Sequence, residues 1–278
     1  MSWKRGLTAV VVLACLTAFP WGPLFAWSPV HPGYREIQFA RANVLYPEST
    51  ALDPAYREID RYVAVAESFH ELKARKKMTV VVCRNWNDCL RFAAPFLIGQ
   101  LPLAVTAATG TVTFITPRGV GWEDIGGLLR HELSHAVQSQ NHSLVSVLRM
   151  LREPWVTEGV AAVVAAQGAT APDRYLISLP ETEFLARAKT EDLWPSFAGA
   201  SLADYPFRYT TWMYFWDRQI ERSGKAAFLR FEQACFANPQ DCRSTFGEVY
   251  KTPLRSAVDE FQTEVRAGRV VAPQRVGF

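Results

Sequence analysis

The chain has 278 residues, 49% of them hydrophobic and 21% charged. That balance belongs to a globular protein with a sizeable core, and the length suits one catalytic domain or two small ones. A net charge of +3, without a basic run interleaved with aromatics, gives no ground for a nucleic-acid partner, and none is expected.

The chain opens on a targeting segment. Lys4 and Arg5 precede an apolar run over residues 7–19, and Pro20, Gly22 and Pro23 follow. Charge followed by an apolar stretch places the start of the chain in the cytoplasm and the rest outside it. Leu24-Phe25-Ala26 is a poor cleavage site because its first position is large. Three outcomes stay open. Cleavage near Ala26 gives a soluble exported protein. Retention leaves an anchor, since residues 7–26 are just long enough to span. Lipidation at Cys15 is the weakest, because the apolar run before it is short. The division expected is a signal peptide or membrane anchor over residues 1–27 and one domain over 28–278, periplasmic or otherwise extracytoplasmic. The other four cysteines agree with export. Cys83 with Cys89 and Cys235 with Cys242 are close pairs, and two local disulfides are the simplest of three connectivities.

Residues 27–34 are Pro-rich and aromatic, a linker or first turn. Residues 36–46 fit a weak strand or a short helix. Asp53 starts a helix, with Pro54 at its first position and Ile59, Tyr62, Val63, Ala66 and Phe69 at helical spacing; it ends near Lys73. The β-branched run MTVVVC over 78–83 is a buried strand. A turn over 85–88 and a short helix over 90–96 follow. Residues 99–109 have no firm period. GTVTFIT over 110–116 alternates as a strand does, and Pro117 ends it.

The stretch 128–138, LLRHELSHAVQ, carries the chemistry. Ile125, Leu128, Leu129, Leu133, Ala136 and Val137 make an apolar surface at helical spacing. His131 and His135 stand one turn apart on one face, so two imidazoles can point at one ion. Glu132 is offset by about 100° round the helix, off the ion but near a water beside it. That is the metalloprotease reading of H-E-x-x-H. Alone, the pattern equally fits a polar patch on a surface helix. A catalytic zinc needs three protein ligands and an open position. A third His on the same helix fails in register, with Gln138 where Gly belongs and Asn141 where His belongs. PWVTEGVAAVVAAQ over 154–167 offers Glu158, the one acid of a helix otherwise small and apolar. A lone buried carboxylate needs a partner, and a metal supplies one. Otherwise Glu158 is a first-turn acid favoured by the helix dipole.

Residues 143–152 read as a short apolar helical connection. The Glu158 helix ends near Gly168. Residues 170–203 have three prolines and no period, and suit an active-site loop or lid. In 205–222, Tyr209, Trp212, Met213, Trp216 and Ile220 recur at helical spacing. A helix over 225–236, one final helix within 245–265 and a tail over 266–278 complete the chain.

H-E-x-x-H followed by W-x-x-E-G-x-A, with Trp155, Glu158, Gly159 and Ala161 in the second motif, resembles the gluzincin metallopeptidases of the thermolysin-like clan, most closely the bacterial peptidase MA-like group. The resemblance implies His131, His135 and Glu158 as ligands of Zn²⁺ and Glu132 as general base. It implies an α+β, zincin-like fold, with a small mixed sheet packed on two zinc-binding helices and a helical C-terminal part. It makes strand 110–116 a sheet edge able to hold an extended peptide substrate, although an ordinary core strand fits those residues as well. It places Tyr209, at the opening of an aromatic helix closed by Gly224, as a hydrogen-bond donor to the developing oxyanion, with Tyr205 as rival. Both tyrosines also fit as core aromatics. Phe261 stands where the family often has Trp, and no G-x-M-E-N signature precedes the metal helix, which argues mildly against aminopeptidase action. The reaction implied is hydrolysis of a peptide or protein substrate. The competing expectation is a catalytically inactive zincin-like binding or scaffold protein of the cell envelope, tethered through the N-terminal segment. Glu132 speaks against it, because a structural site needs no base there.

Overall fold

A five-stranded mixed sheet lies against two layers of helices in the computed structural model, which describes residues 19, 21–93, 103–120, 124–166, 179–198 and 204–270. The segment over 36–46 is an antiparallel hairpin of β1 (Tyr34–Gln38) and β2 (Ala42–Pro47). Its turn is held from outside: the Asp60 carboxylate accepts from Ala40 N at 3.0 Å and Arg41 N at 2.8 Å. Asp53 caps a 3-10 turn, Pro54–Glu58, by accepting from Ala55 N, and α1 (Ile59–His70) continues from it. This helix closes at Glu71, in the left-handed region, two residues before the expected Lys73.

β3 (Met78–Val82) is the central strand, parallel to β2 on one side and β5 on the other. A strand covered on both faces has no solvent side, hence its continuous apolar run. Cys83 is bridged to Cys89, which ties the end of β3 to α2 (Trp86–Ala93). The expected turn over 85–88 is the start of that helix, with Asn85 Oδ1 accepting from Asp88 N at 2.9 Å. β4 (Ala104–Thr106) and β5 (Val112–Ile115) complete the order β1-β2-β3-β5-β4. The strand expected as the sheet edge is therefore enclosed. β5 pairs with β3 through Val80↔Thr113 and with β4 through Val105↔Phe114, and the edge beside it is β4. Three residues are too few for a period to show, which is why β4 left no pattern in the sequence.

The two sheet faces bury different sets, as alternation requires. Val44, Val80, Val82 and Ile115 meet the helices in the main core. Leu45, Val81, Val112 and Phe114 meet Phe25, Phe92 and the Cys83–Cys89 bridge in a second, smaller core.

The remaining elements are helices: α3 (Ile125–Asn141), α4 (Leu144–Met150), α5 (Pro154–Ala166), α6 (Glu181–Thr190), α7 (Trp194–Ala198), α8 (Tyr205–Ser223), α9 (Lys225–Ala237), α10 (Cys242–Tyr250) and α11 (Leu254–Arg266). The single final helix expected over 245–265 is two, because Lys251 adopts φ 58° and Pro253 follows. Within the stretch expected as a loop or lid, α6 and α7 are ordered helices; residues 167–178 and 199–203, the expected helix end at Gly168 and the tail beyond 270 lie outside the described residues. The second expected disulfide is absent. Cys235 and Cys242 are buried free thiols, each fixed in its own helix, with Cys242 Sγ 3.6 Å from Met150 Sδ. No helix among the described residues is long and apolar enough to cross a membrane. The architecture is α+β, with the sheet against α1 and α3 and the C-terminal helices beyond α5.

Candidate metal centre

Asp124 starts α3 by accepting from Gly127 N at 2.6 Å. The helix then runs through the middle of the protein, against α1, α5 and β4. Its polar residues are buried with it, and each must find a partner there. Arg130 Nε donates to Ala165 O at 2.8 Å. Ser134 Oγ lies 2.8 Å from His70 Nε2, His70 Nδ1 lies 3.0 Å from Glu232 Oε1, and Gln138 Nε2 donates to the same oxygen at 2.6 Å. This network ties α3 to α1 and α9 and fixes its rotation about its own axis. The adjacent strip of the same helix, with His131 and His135, is thereby directed at α5.

α5 approaches closely because of Gly159. A Cβ there would stand 2.7 Å from Trp212 Cβ and 2.8 Å from Trp216 Cδ1. The contact is locked by Trp155, which stacks on Trp216 with ring centroids 5.5 Å apart and accepts from Trp216 Nε1 at its carbonyl, 2.6 Å away. Trp155 and Gly159 of W-x-x-E-G-x-A thus set the α5–α8 spacing. Tyr205 and Tyr209 share the α8 stripe that holds Trp212 and Trp216.

The three expected ligands meet. His131 Nε2 and His135 Nε2 are 3.0 Å apart, and Glu158 Oε2 lies 3.2 Å from the first and 3.6 Å from the second. Bonds of about 2.05 Å in a tetrahedral zinc site put ligand atoms about 3.3 Å apart, so the triangle has the dimensions of such a site. Among the described residues it is the one group of three His, Cys, Asp or Glu side chains that converge in this way. Two nitrogens and one oxygen suit zinc. Burial alone would raise the Glu158 carboxyl, but His135 and His131 outweigh it and hold the group well below the carboxylate range. Burial alone would lower His135, and the Glu158 charge outweighs it, so that imidazole is raised.

The surrounding residues are ordered around this triangle. Glu132 Oε2 accepts from Thr106 Oγ1 at 2.7 Å, and that hydroxyl is 2.8 Å from Thr113 Oγ1. The edge strand β4 therefore grips the acid directly. Tyr209 Oη lies against the His131 ring within reach of both nitrogens, 2.6 Å from Nδ1 and 3.0 Å from Nε2. The Glu158 charge acts on Tyr205 as well as on Tyr209. Burial first, then the Glu158 charge, raises both phenols well above the ordinary tyrosine value, so both stay protonated at neutral pH. Thr106 carried no signal in the sequence. It lies in the stretch without a period, and only strand pairing brings it to Glu132.

Two histidines one turn apart on α3, a carboxylate from α5, an adjacent acid and two phenols define a candidate mononuclear metal centre on an α+β scaffold. No protein-family model matches the chain, and no curated protein matches it in sequence. Among solved structures the chain is similar to the M1 zinc metallopeptidase from Deinococcus radiodurans, at 14% identity and a TM-score of 0.42, over 87% of this chain and 53% of that one. The chain spans about half the length of that enzyme. At that TM-score the likeness carries no argument, and the functional reading rests on the site.

Proposed function

We propose that the chain is a zinc-dependent hydrolase of the gluzincin type, acting on peptide bonds. The observation that carries this is the triangle of His131 Nε2, His135 Nε2 and Glu158 Oε2, with edges of 3.0, 3.2 and 3.6 Å. His131, His135 and Glu158 would hold Zn²⁺, which supplies Lewis acidity, lowering the pKa of water and polarising a carbonyl. Glu132 takes the proton of the attacking water and returns it to the leaving amine. Thr106 orients the Glu132 carboxylate through Oε2. Tyr209 fixes the ring of His131, and its raised pKa keeps a neutral phenol there. Tyr205 or Tyr209 supplies the donor to the developing oxyanion. Glu158 and His135 are half-buried, so a substrate reaches the triangle from their side. β4 offers the sheet edge that β5 does not.

The test is metal content and hydrolysis of an unfolded protein substrate by the full chain. Stoichiometric zinc, activity abolished by a chelator and restored by zinc, and a Glu132→Gln variant that keeps its zinc while losing about 10²–10⁴-fold in rate are the expected results. No metal after zinc loading, or full activity in Glu132→Gln, would overturn the reading.

A further inference from the structure

The link between the two metal-bearing helices exposes what a protein normally hides. α4 joins α3 to α5 and turns only Val147 and Met150 inward. Leu144, Val145, Leu148 and Leu151 are 52%, 58%, 49% and 63% exposed. At about 100° per residue these four fall within about 120° of the helix circumference, one continuous apolar strip. Single exposed leucines are ordinary, but four large apolar side chains on one short helix mark an interaction surface.

Its flank identifies the partner. Arg149 comes next round the helix from Val145, and Arg152 follows in the turn after the helix. Together with Glu153, Pro239 and Gln240 they line a half-open cleft of about 520 Å³. Glu153 is already engaged there, accepting from Trp155 Nε1 at 2.6 Å. An apolar strip bordered by two guanidinium groups and a cleft of headgroup size is complementary to the boundary of an anionic bilayer, with acyl chains below and phosphates above. The start of the described chain has the same character. Trp21, Leu24, Trp27 and Val30 are exposed directly after the apolar run at residues 7–19. Tryptophan is enriched at the level of the headgroups.

We propose that α4 docks on an anionic membrane surface, with Leu144, Val145, Leu148 and Leu151 in the interface and Arg149 and Arg152 on lipid phosphates. The contact is independent of the hydrolase chemistry. It would hold the α3–α5 junction against the bilayer whether or not the site is loaded with metal.

The experiment places an environment-sensitive fluorophore at Leu148→Cys in the full chain, in a Cys15→Ser background. Cys83 and Cys89 are bridged and Cys235 and Cys242 are buried, so they do not compete for the label. The same label at exposed Glu183→Cys on α6 is the control. Both chains are bound to vesicles of phosphatidylcholine alone or mixed with phosphatidylglycerol. The expected result is a blue shift and quenching by spin-labelled lipid at position 148 only, and only with phosphatidylglycerol. Arg149→Gln with Arg152→Gln should lower the ratio of docked to undocked α4 by about 30-fold. Three outcomes would overturn the proposal: a water-like spectrum at 148 on bound chains, equal insertion at 183, or a blue shift without vesicles that grows with protein concentration. The last would make a second copy of the chain the occupant.

Discussion

Gly159→Ala tests how packing and chemistry are joined in this protein. The added methyl would stand 2.7 Å from Trp212 Cβ and 2.8 Å from Trp216 Cδ1. Carbon atoms prefer about 3.5–4.0 Å, so α5 and α8 must part by about 1 Å. Trp216 cannot swing aside, because its Nε1 is bonded to Trp155 O and its ring is stacked on Trp155. Overpacking of this kind costs about 1–3 kcal/mol, and the better helix propensity of alanine returns about 1. With two tryptophans immobilised, the upper part of that range applies, for a net loss of about 2 kcal/mol. That lowers Tm by about 4–8 °C in a domain of this size. The same 1 Å carries Tyr209 from its 2.6 Å contact with His131 Nδ1 out of hydrogen-bond range. Loss of a contact that orients a ligating imidazole costs about 10–100-fold in metal affinity or activity. Thermal unfolding and zinc titration read the two effects separately. Gly247→Ala is the control of opposite sign. Gly247 is helical, and the nearest atom to its added Cβ is Thr252 O at 3.9 Å. That variant should gain about 0.5–1 kcal/mol. A Gly159→Ala protein as stable as its parent, with zinc affinity unchanged, would refute the account of W-x-x-E-G-x-A as a spacing device.

Glu158→Ala should weaken zinc binding by more than about 100-fold, since a ligand matters more than its support; unchanged affinity in a competition titration would place the third ligand elsewhere. Asp217 on α8 is pushed up to about 6 by burial and by the Glu221 charge. Its folded pKa lies above the unfolded value, so its contribution to stability is fully present below about pH 4 and is lost as pH rises through about 6. The rise from 3.8 to about 6 corresponds to about 3 kcal/mol. Asp217→Asn should therefore stabilise the protein at pH 7.5 by up to that amount and lose the advantage at pH 4; a pH-independent difference in denaturant midpoint would count against the burial argument. In a non-reducing digest Cys83 and Cys89 should emerge as one linked peptide, whereas Cys235 and Cys242 should accept alkylating reagent only after unfolding; a linked 235–242 peptide would contradict the free thiols seen here.

His131, Glu132, His135 and Glu158 could be singled out from the chain because helical spacing fixes which side chains share a face, and because a lone acid in an apolar helix demands a partner. The same local rules showed α1, β3, α5 and the aromatic α8. They failed where the deciding contact is remote in sequence. β4 has three residues and no period, yet it is the edge strand beside β5 and supplies Thr106 to Glu132. β5 alternates as an edge strand would, but parallel pairing with β3 encloses it. Both tyrosines could be named, but the atoms that their hydroxyls reach depend on how closely α8 lies on α5, which Gly159 and two tryptophans set. The fate of Cys235 and Cys242 likewise depended on two helices and not on the seven-residue spacing. Periodicity and residue chemistry therefore determined the helices and the candidate ligand set, because both act over a few residues. Sheet order, the grip on Glu132 and the roles of the phenols were decided by tertiary packing, because each depends on atoms brought together from separate elements.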